Sequence, residues 1–348
     1  MTEQIVRDLK DLLAVDSTTG FSGPLDALLM EKCRRLGYSP RRLNKGGVRV
    51  DLGGEGRPLF ITAHGDDIGL LVRRILPDGT LEVYNVGGNP PFQTLHENVR
   101  VYTRRGRVLT GTVRLRSPSL HIVPLADRNQ PLEYGKNVCV TLDEPVYTRA
   151  DTEALGVEPG NMIALDPRFV ETEGGYIKSR FLDDKASCAA VLAMMAAVAR
   201  GDVKLNRKVY VFFGQQEEIG MSGACAVPED VADYLAVDIG CVSPDTHSDE
   251  HRVTVTAQDA SAPYSGDFVK ELADLCEEKD IPFALDLMVP HYGSDADVAM
   301  RAGIDARHGL IGPGVLETHG YERTHRDAIL NTARLLCALV EEGGKDRS

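Results

Sequence analysis

Apolar residues recur along this chain with two different periods. Val6, Leu9, Leu12 and Leu13 share one face at helical spacing, which predicts a helix over residues 2–14. Residues 17–23, rich in Ser, Thr and Gly, read as a loop, and 25–36 as a second helix stopping near Gly37. Residues 48–52 and 58–63 read as strands, the second so uniformly apolar that it belongs at a sheet centre. From about residue 70 to 165 the pattern changes to short alternating segments at 80–84, 99–103, 107–114 and 138–142. Turn signals such as Pro77-Asp78-Gly79 and Arg105-Gly106 separate them. Strand–helix alternation then resumes. Helices are predicted at 186–199, 267–279, 295–302 and 327–341, and strands at 208–213, 233–239, 283–289 and 306–311.

The expected fold class is therefore α/β: a three-layer α/β/α domain with a mixed sheet, formed by 1–68 and 166–348. A small all-β domain at 69–165 reads as an insertion, because the same pattern flanks it on both sides. In open α/β sheets the chemistry sits at the carboxyl ends of the strands.

Composition narrows the possible partners. The net charge of −13 excludes nucleic acid as the expected partner, and the basic stretch 100–116 reads as a solvated sheet face. No apolar run is long enough to cross a bilayer, and the charged amphipathic start does not resemble a signal peptide. Seven scattered cysteines, odd in number and without a CxxC pair, fit thiols used as small core residues in a reducing, cytoplasmic setting.

Ligand-type residues cluster at the expected strand ends. His64-Gly65-Asp66-Asp67 follows one strand, and Glu217-Glu218, bracketed by Gly214 and Gly220, follows another. Asp238 ends a third, Asp183-Asp184-Lys185 opens the helix at 186, and His319 and His325 precede the last helix. Five separate segments converging on one sheet edge point to a metal site. The set His64, Asp183, Glu218, Asp238 and one late histidine suits two divalent ions sharing a carboxylate. Glu217 is left to handle protons, and Asp66 to orient the imidazole of His64.

His64-Gly65-Asp66-Asp67-Ile68-Gly69, Leu182-Asp183-Asp184-Lys185, Gln216-Glu217-Glu218-Ile219-Gly220 and Asp238, in that order, resemble the signature of the tetrahedral dinuclear aminopeptidases. This is metallopeptidase family forty-two, which includes glutamyl and deblocking aminopeptidases and proteins once labelled cellulase M. The resemblance spans essentially the whole chain, including a PDZ-like β-barrel insertion. It implies two Zn²⁺ or Co²⁺ ions bridged by Asp183, one site completed by His64 and Asp238, the other by Glu218 and a late histidine. Glu217 would be the general base acting on a bridging water, and Asp66 would orient His64. The barrel would serve dimerisation, and dimers would assemble into a tetrahedral dodecamer that admits short peptides.

The chain departs from that pattern in places. Asp67 stands where the family usually has Glu, and Lys185 where it usually has Arg. The family's Arg-Tyr-x-His-Ser segment is replaced by Glu317-Thr318-His319-Gly320-Tyr321-Glu322-Arg323-Thr324-His325. His319 is favoured as the last ligand because it lies in the presumed strand-exit loop, leaving His325 to cap the final helix or touch substrate. His291 and Asp295 occupy a loop expected near the substrate pocket. His121, in the inserted domain, would be a further substrate-contact candidate. The leading expectation is an aminopeptidase acting on short peptides. The alternatives are a deacylase or amidase of small modified amino acids, and a non-catalytic metal-stabilised binding protein.

Overall fold

The computed structural model describes residues 1–125 and 128–342. Residues 126–127 of the expected insertion and 343–348 of the expected α/β/α domain lie outside the described residues. The described residues form two compact units, one of residues 1–66 with 168–342, the other of residues 67–125 with 128–167.

The larger unit is a twelve-stranded mixed sheet with helices on both faces. In chain order its elements are α1 (Thr2–Leu13), α2 (Gly23–Arg35), β1 (Arg41–Arg42), β2 (Val48–Gly53), β3 (Leu59–His64), β4 (Val170–Glu171) and β5 (Tyr176–Ser179). They continue with α3 (Leu182–Arg200), β6 (Val209–Gly214), β7 (Asp233–Val237), β8 (Gly240–Val242), β9 (Val253–Gln258) and α4 (Gly266–Glu278). β10 (Phe283–Leu287), α5 (Asp295–Arg301), β11 (Arg307–Leu316), β12 (Glu322–His325) and α6 (Arg326–Glu342) complete it.

The main path through the sheet is β1-β2-β6-β3-β7-β11-β12-β5-β4. Every residue of β3, β6 and β7 is buried, as expected of parallel strands covered on both faces. β3 runs parallel to both neighbours, with Gly214 opposite His64 and Ala236 opposite Thr62. The carboxyl ends of three adjacent strands thus fall at one level of one edge.

One face is covered by α1, α3 and α6, with α3 packed on β3 and against the other two helices. This position explains why α3 has no polar stripe: its residues are buried from Leu182 through Ala197. A run of Ala and Met favours helix without needing one exposed side, and Gly201, at φ +78°, ends it. On the other face Phe60, Tyr210, Phe212, Tyr234, Ala236 and Leu310 form a core with Ala296 and Ala299 of α5.

The smaller unit is a closed antiparallel barrel of six strands, Gly69–Ile75, Leu81–Val86, Val138–Leu142, Val108–Leu115, Asn98–Tyr102 and Met162–Leu165 in spatial order. Val72, Val83, Val101, Val113, Val140 and Ile163 are buried in it. The exposed Arg104, Arg107, Arg114 and Arg116 confirm that the basic stretch faces solvent.

Several elements were not legible. The sequence pattern does not mark the barrel strand Gly69–Ile75, whose alternation is broken by a register shift between Val72 and Arg74. β9 escapes because Val253, Thr254, Val255 and Thr256 are all buried, so Thr does not signal a wet face. β4, β5 and β12 are too short to carry a period.

Candidate metal centre

His64 ends β3 with its side chain only 3% exposed. Its Nδ1 lies 3.1 Å from the Asp66 carbonyl oxygen, which can only accept, so Nδ1 carries the donated hydrogen. Nε2 faces Asp183 Oδ1 at 3.2 Å, and since that carboxylate oxygen also only accepts, both ring nitrogens donate in the metal-free protein. The Asp66 carboxylate is farther, 3.5 Å from Nδ1. It accepts instead from the Thr19 hydroxyl at 2.6 Å and the Glu217 amide at 3.1 Å.

Asp183 lies ahead of the regular part of α3, its backbone (φ −75°, ψ 101°) and that of Asp184 being non-helical. Its two oxygens point to different histidines: Oδ1 to His64, and Oδ2 to His319 Nε2 at 3.6 Å. Glu218 Oε2 lies 3.5 Å from the same His319 nitrogen. Glu217 and Glu218 sit on a single 3₁₀ turn that Gly220 closes at φ +65°. Asp238 directly follows β7. Gly312 of β11 is required beside it, since a Cβ there would sit 1.2 Å from the Asp238 carbonyl oxygen. Ligand atoms of His64, Asp183 and Asp238 lie within 4.8 Å of one another, as do those of Asp183, Glu218 and His319. Asp183 is common to both groups.

The electrostatics are those of crowded, dry carboxylates. Burial pushes Glu217 and Glu218 well above the usual carboxylate range, and the other acids add to it while His64 opposes. Burial, with the charge of Asp183, pushes Asp238 up to about 7. Burial alone would depress His64, but hydrogen bonds to Asp183 and Asp66 and the charge of Glu217 hold it well above its ordinary value. Asp183 is the exception. Burial pushes it up, but His64 and His319 hold its carboxyl below the ordinary range. This excess of buried oxygen donors around two neutral-capable imidazoles fits divalent cations of the zinc type.

Other candidates fall elsewhere. His325 lies at the far end of β12, its Nε2 2.8 Å from the Gly174 carbonyl and its Nδ1 accepting the Asp327 amide at the start of α6. It caps that helix and is not among the residues gathered around Asp183. His291 is exposed, and His121 is an exposed residue of the barrel unit. Asp295 is buried, accepting from the Thr62 hydroxyl at 2.8 Å and the Gly223 amide at 2.8 Å. It lines a small recess with His64, Glu217 and Asp238.

Two groups were missed. Glu322, buried in β12, accepts the amides of Asp183 at 3.1 Å and His319 at 3.0 Å, tying both candidate ligands to one carboxylate. Asp184 accepts the His64 amide at 3.1 Å. Glu322 carried no local signal, whereas Asp184 stood inside a recognised motif without a role.

A mixed sheet joined in sequence to a six-stranded barrel matches the fold of solved TET peptidases. The Pyrococcus horikoshii TET1 peptidase superposes with a TM-score of 0.83 at 22% identity, covering 97% of this chain and 99% of that one. The chain belongs to the family of M42 glutamyl aminopeptidases, whose model matches residues 46–335. It is 36% identical over 338 residues to the protein named "Putative aminopeptidase YhfE" of Bacillus subtilis (strain 168), covering 96% of each chain. It is 26% identical over 228 residues to the glutamyl aminopeptidase of Lactococcus lactis, covering 62% of this chain and 60% of that one. Membership makes it a hydrolase acting on peptides, of a metal-dependent family.

Proposed function

We propose that this chain removes N-terminal residues from short peptides using two divalent cations, zinc or cobalt. Asp183 is assigned to both cations, with His64 and Asp238 completing one site and Glu218 and His319 the other. The observation that carries the reading is the splayed carboxylate of Asp183, one oxygen toward each histidine. When bound, such a pair polarises a carbonyl and makes a nearby water more acidic.

Glu217 is assigned the proton transfers. Its carboxylate reaches to 3.7 Å from His64 Nε2 without being needed in either ligand group, and Asp66 fixes its backbone. Burial raises its affinity for a proton, which suits a group that takes one from water and delivers it to the departing amine. Asp66 acts on both partners, holding the His64 ring through its carbonyl and Glu217 through its carboxylate.

The test uses a panel of aminoacyl anilides and their N-acetyl counterparts. Hydrolysis of the free-amine substrates should vanish on chelation and return with zinc or cobalt. Glu217→Gln should lower kcat by about 10²- to 10⁴-fold while retaining the metal. Preference for the acetylated substrates would identify a deacylase instead.

A further inference from the structure

At the opposite end of the β5–β12 pair a second group of metal-ligating side chains stands apart from the Asp183 centre. Ser179 pairs with Glu322, which holds that centre, whereas Tyr176 pairs with His325. Three residues of strand, about 10 Å, separate the two ends. Around His325 gather His251, from the loop before β9, and Asp327, from the first turn of α6.

We propose that His251, His325 and Asp327 form a further binding site for a zinc-type divalent cation. Asp327 Oδ2 lies 3.2 Å from His325 Nδ1 and 3.9 Å from His251 Nδ1. Zinc bonds of about 2.0–2.2 Å at tetrahedral angles place neighbouring ligand atoms roughly 3.3 Å apart, so the Asp327–His325 pair already fits and His251, within 4.8 Å of both, has to move closer. Both imidazoles present the same nitrogen to Asp327, and both other nitrogens are engaged. His325 Nε2 donates to the Gly174 carbonyl at 2.8 Å, and His251 Nε2 meets the Tyr176 hydroxyl at 3.2 Å. Outer hydrogen bonds of this kind fix ring orientation and tautomer at metal sites.

The surroundings hold the trio in place. The rings of His251 and His325 lie against one another, centroids 4.2 Å apart, with Tyr176 set edge-on to both. Gly175 presses so closely that a Cβ there would be 2.5 Å from His325 Nε2. Asn331 of α6 donates to the His251 carbonyl at 2.9 Å, and the His325 amide donates to the Glu250 carbonyl at 3.0 Å. Binding displaces one contact, the Asp327 amide on His325 Nδ1, and water can serve that helix-terminal donor. The side chains of His251 and Asp327 are 48% and 49% exposed, which gives an ion an entry path and leaves a fourth position to water. An ion held by all three residues fastens the loop before β9 to the start of α6.

The test is zinc counted per chain after equilibrium dialysis at about 1 µM free zinc. Wild type, His251→Gln and Asp327→Asn are compared, with circular dichroism to confirm folding. Each folded variant should hold one Zn²⁺ fewer than wild type. A count equal to wild type in either folded variant overturns the proposal. Asp327→Asn keeps the helix start and decides the matter if His251→Gln does not fold. Only differences between chains are read, so the result is independent of the occupancy of the Asp183 centre.

Discussion

Glu217 and its neighbours show what a few side chains do when gathered without compensating charge. In the metal-free protein Glu217, Glu218, Asp238 and His64, together with Asp184, Asp295 and Glu322, all have raised pKa values and bind protons more tightly folded than unfolded. The sign is the same for each: their stabilising contribution is complete at low pH and declines as pH climbs through the folded values. Asp183 has the opposite sign, but its window lies below its ordinary value of 3.8 and does not intrude. Chelated protein should therefore be less stable at about pH 8 than at pH 6, and metal-loaded protein should show little of that slope. Thermal melts across this range, with and without chelator, check it. Most of these residues were legible because each stands beside a strand end in a motif with a chemical rationale. Glu322 was not, because its role lies in two backbone amides that only the folded chain brings to it.

β12 is only four residues long, yet it sets the distance between two candidate ligands. Glu322→Gln leaves one oxygen for two amide donors, and leaving a buried group unsatisfied costs about 1–3 kcal/mol. Weakened metal affinity, by about 10- to 100-fold, is the expected result in a zinc competition assay, with the fold retained.

A second charged node ties β7 to β11 near their amino ends. Asp233 receives Arg307 at 2.7 Å, Arg57 at 3.0 Å and the buried Arg207. Burial pushes its carboxyl up, but these guanidinium groups overcome that and hold it at about 2. A depressed carboxylate contributes fully above its unfolded value and loses that contribution as pH falls from about 4 to 2, an effect on the order of 2 kcal/mol. Asp233→Asn should flatten the acid limb of the stability curve in that window. It should also destabilise the protein at neutral pH by about 3 kcal/mol, since Arg207 is left buried and underpaired. The uniform burial of β3, β6 and β7 was readable from their apolar runs. Short strands such as β4, at the sheet edge, and β5 beside it lie below the length at which any periodicity shows.

At the scale of the molecule, two units with separate cores divide the chain. The barrel is proposed to carry assembly, with dimers closing into a tetrahedral dodecamer. The Pyrococcus horikoshii TET1 peptidase, of the same fold, can assemble into a tetrahedron or a large octahedral shell. Light scattering should then give about twelve times the 37.9 kDa chain mass, and a value near one chain would remove the proposal. The inserted unit was visible as a change in rhythm between residues 70 and 165. The strand that closes its circle, Met162–Leu165, was not, because closure is a property of pairing and leaves no mark on four residues.

The matched levels of Gly214 and His64 have one further consequence. The ladder between β3 and β6 ends where the segment bearing Glu217 begins, so the segment past β6 can change in length without breaking one of its rungs, whereas β8 ties the segment past β7 to β11. Chemistry and framework are to that extent separable by editing, and a redesigned specificity should be sought just past the end of β6, outside Glu217 and Glu218.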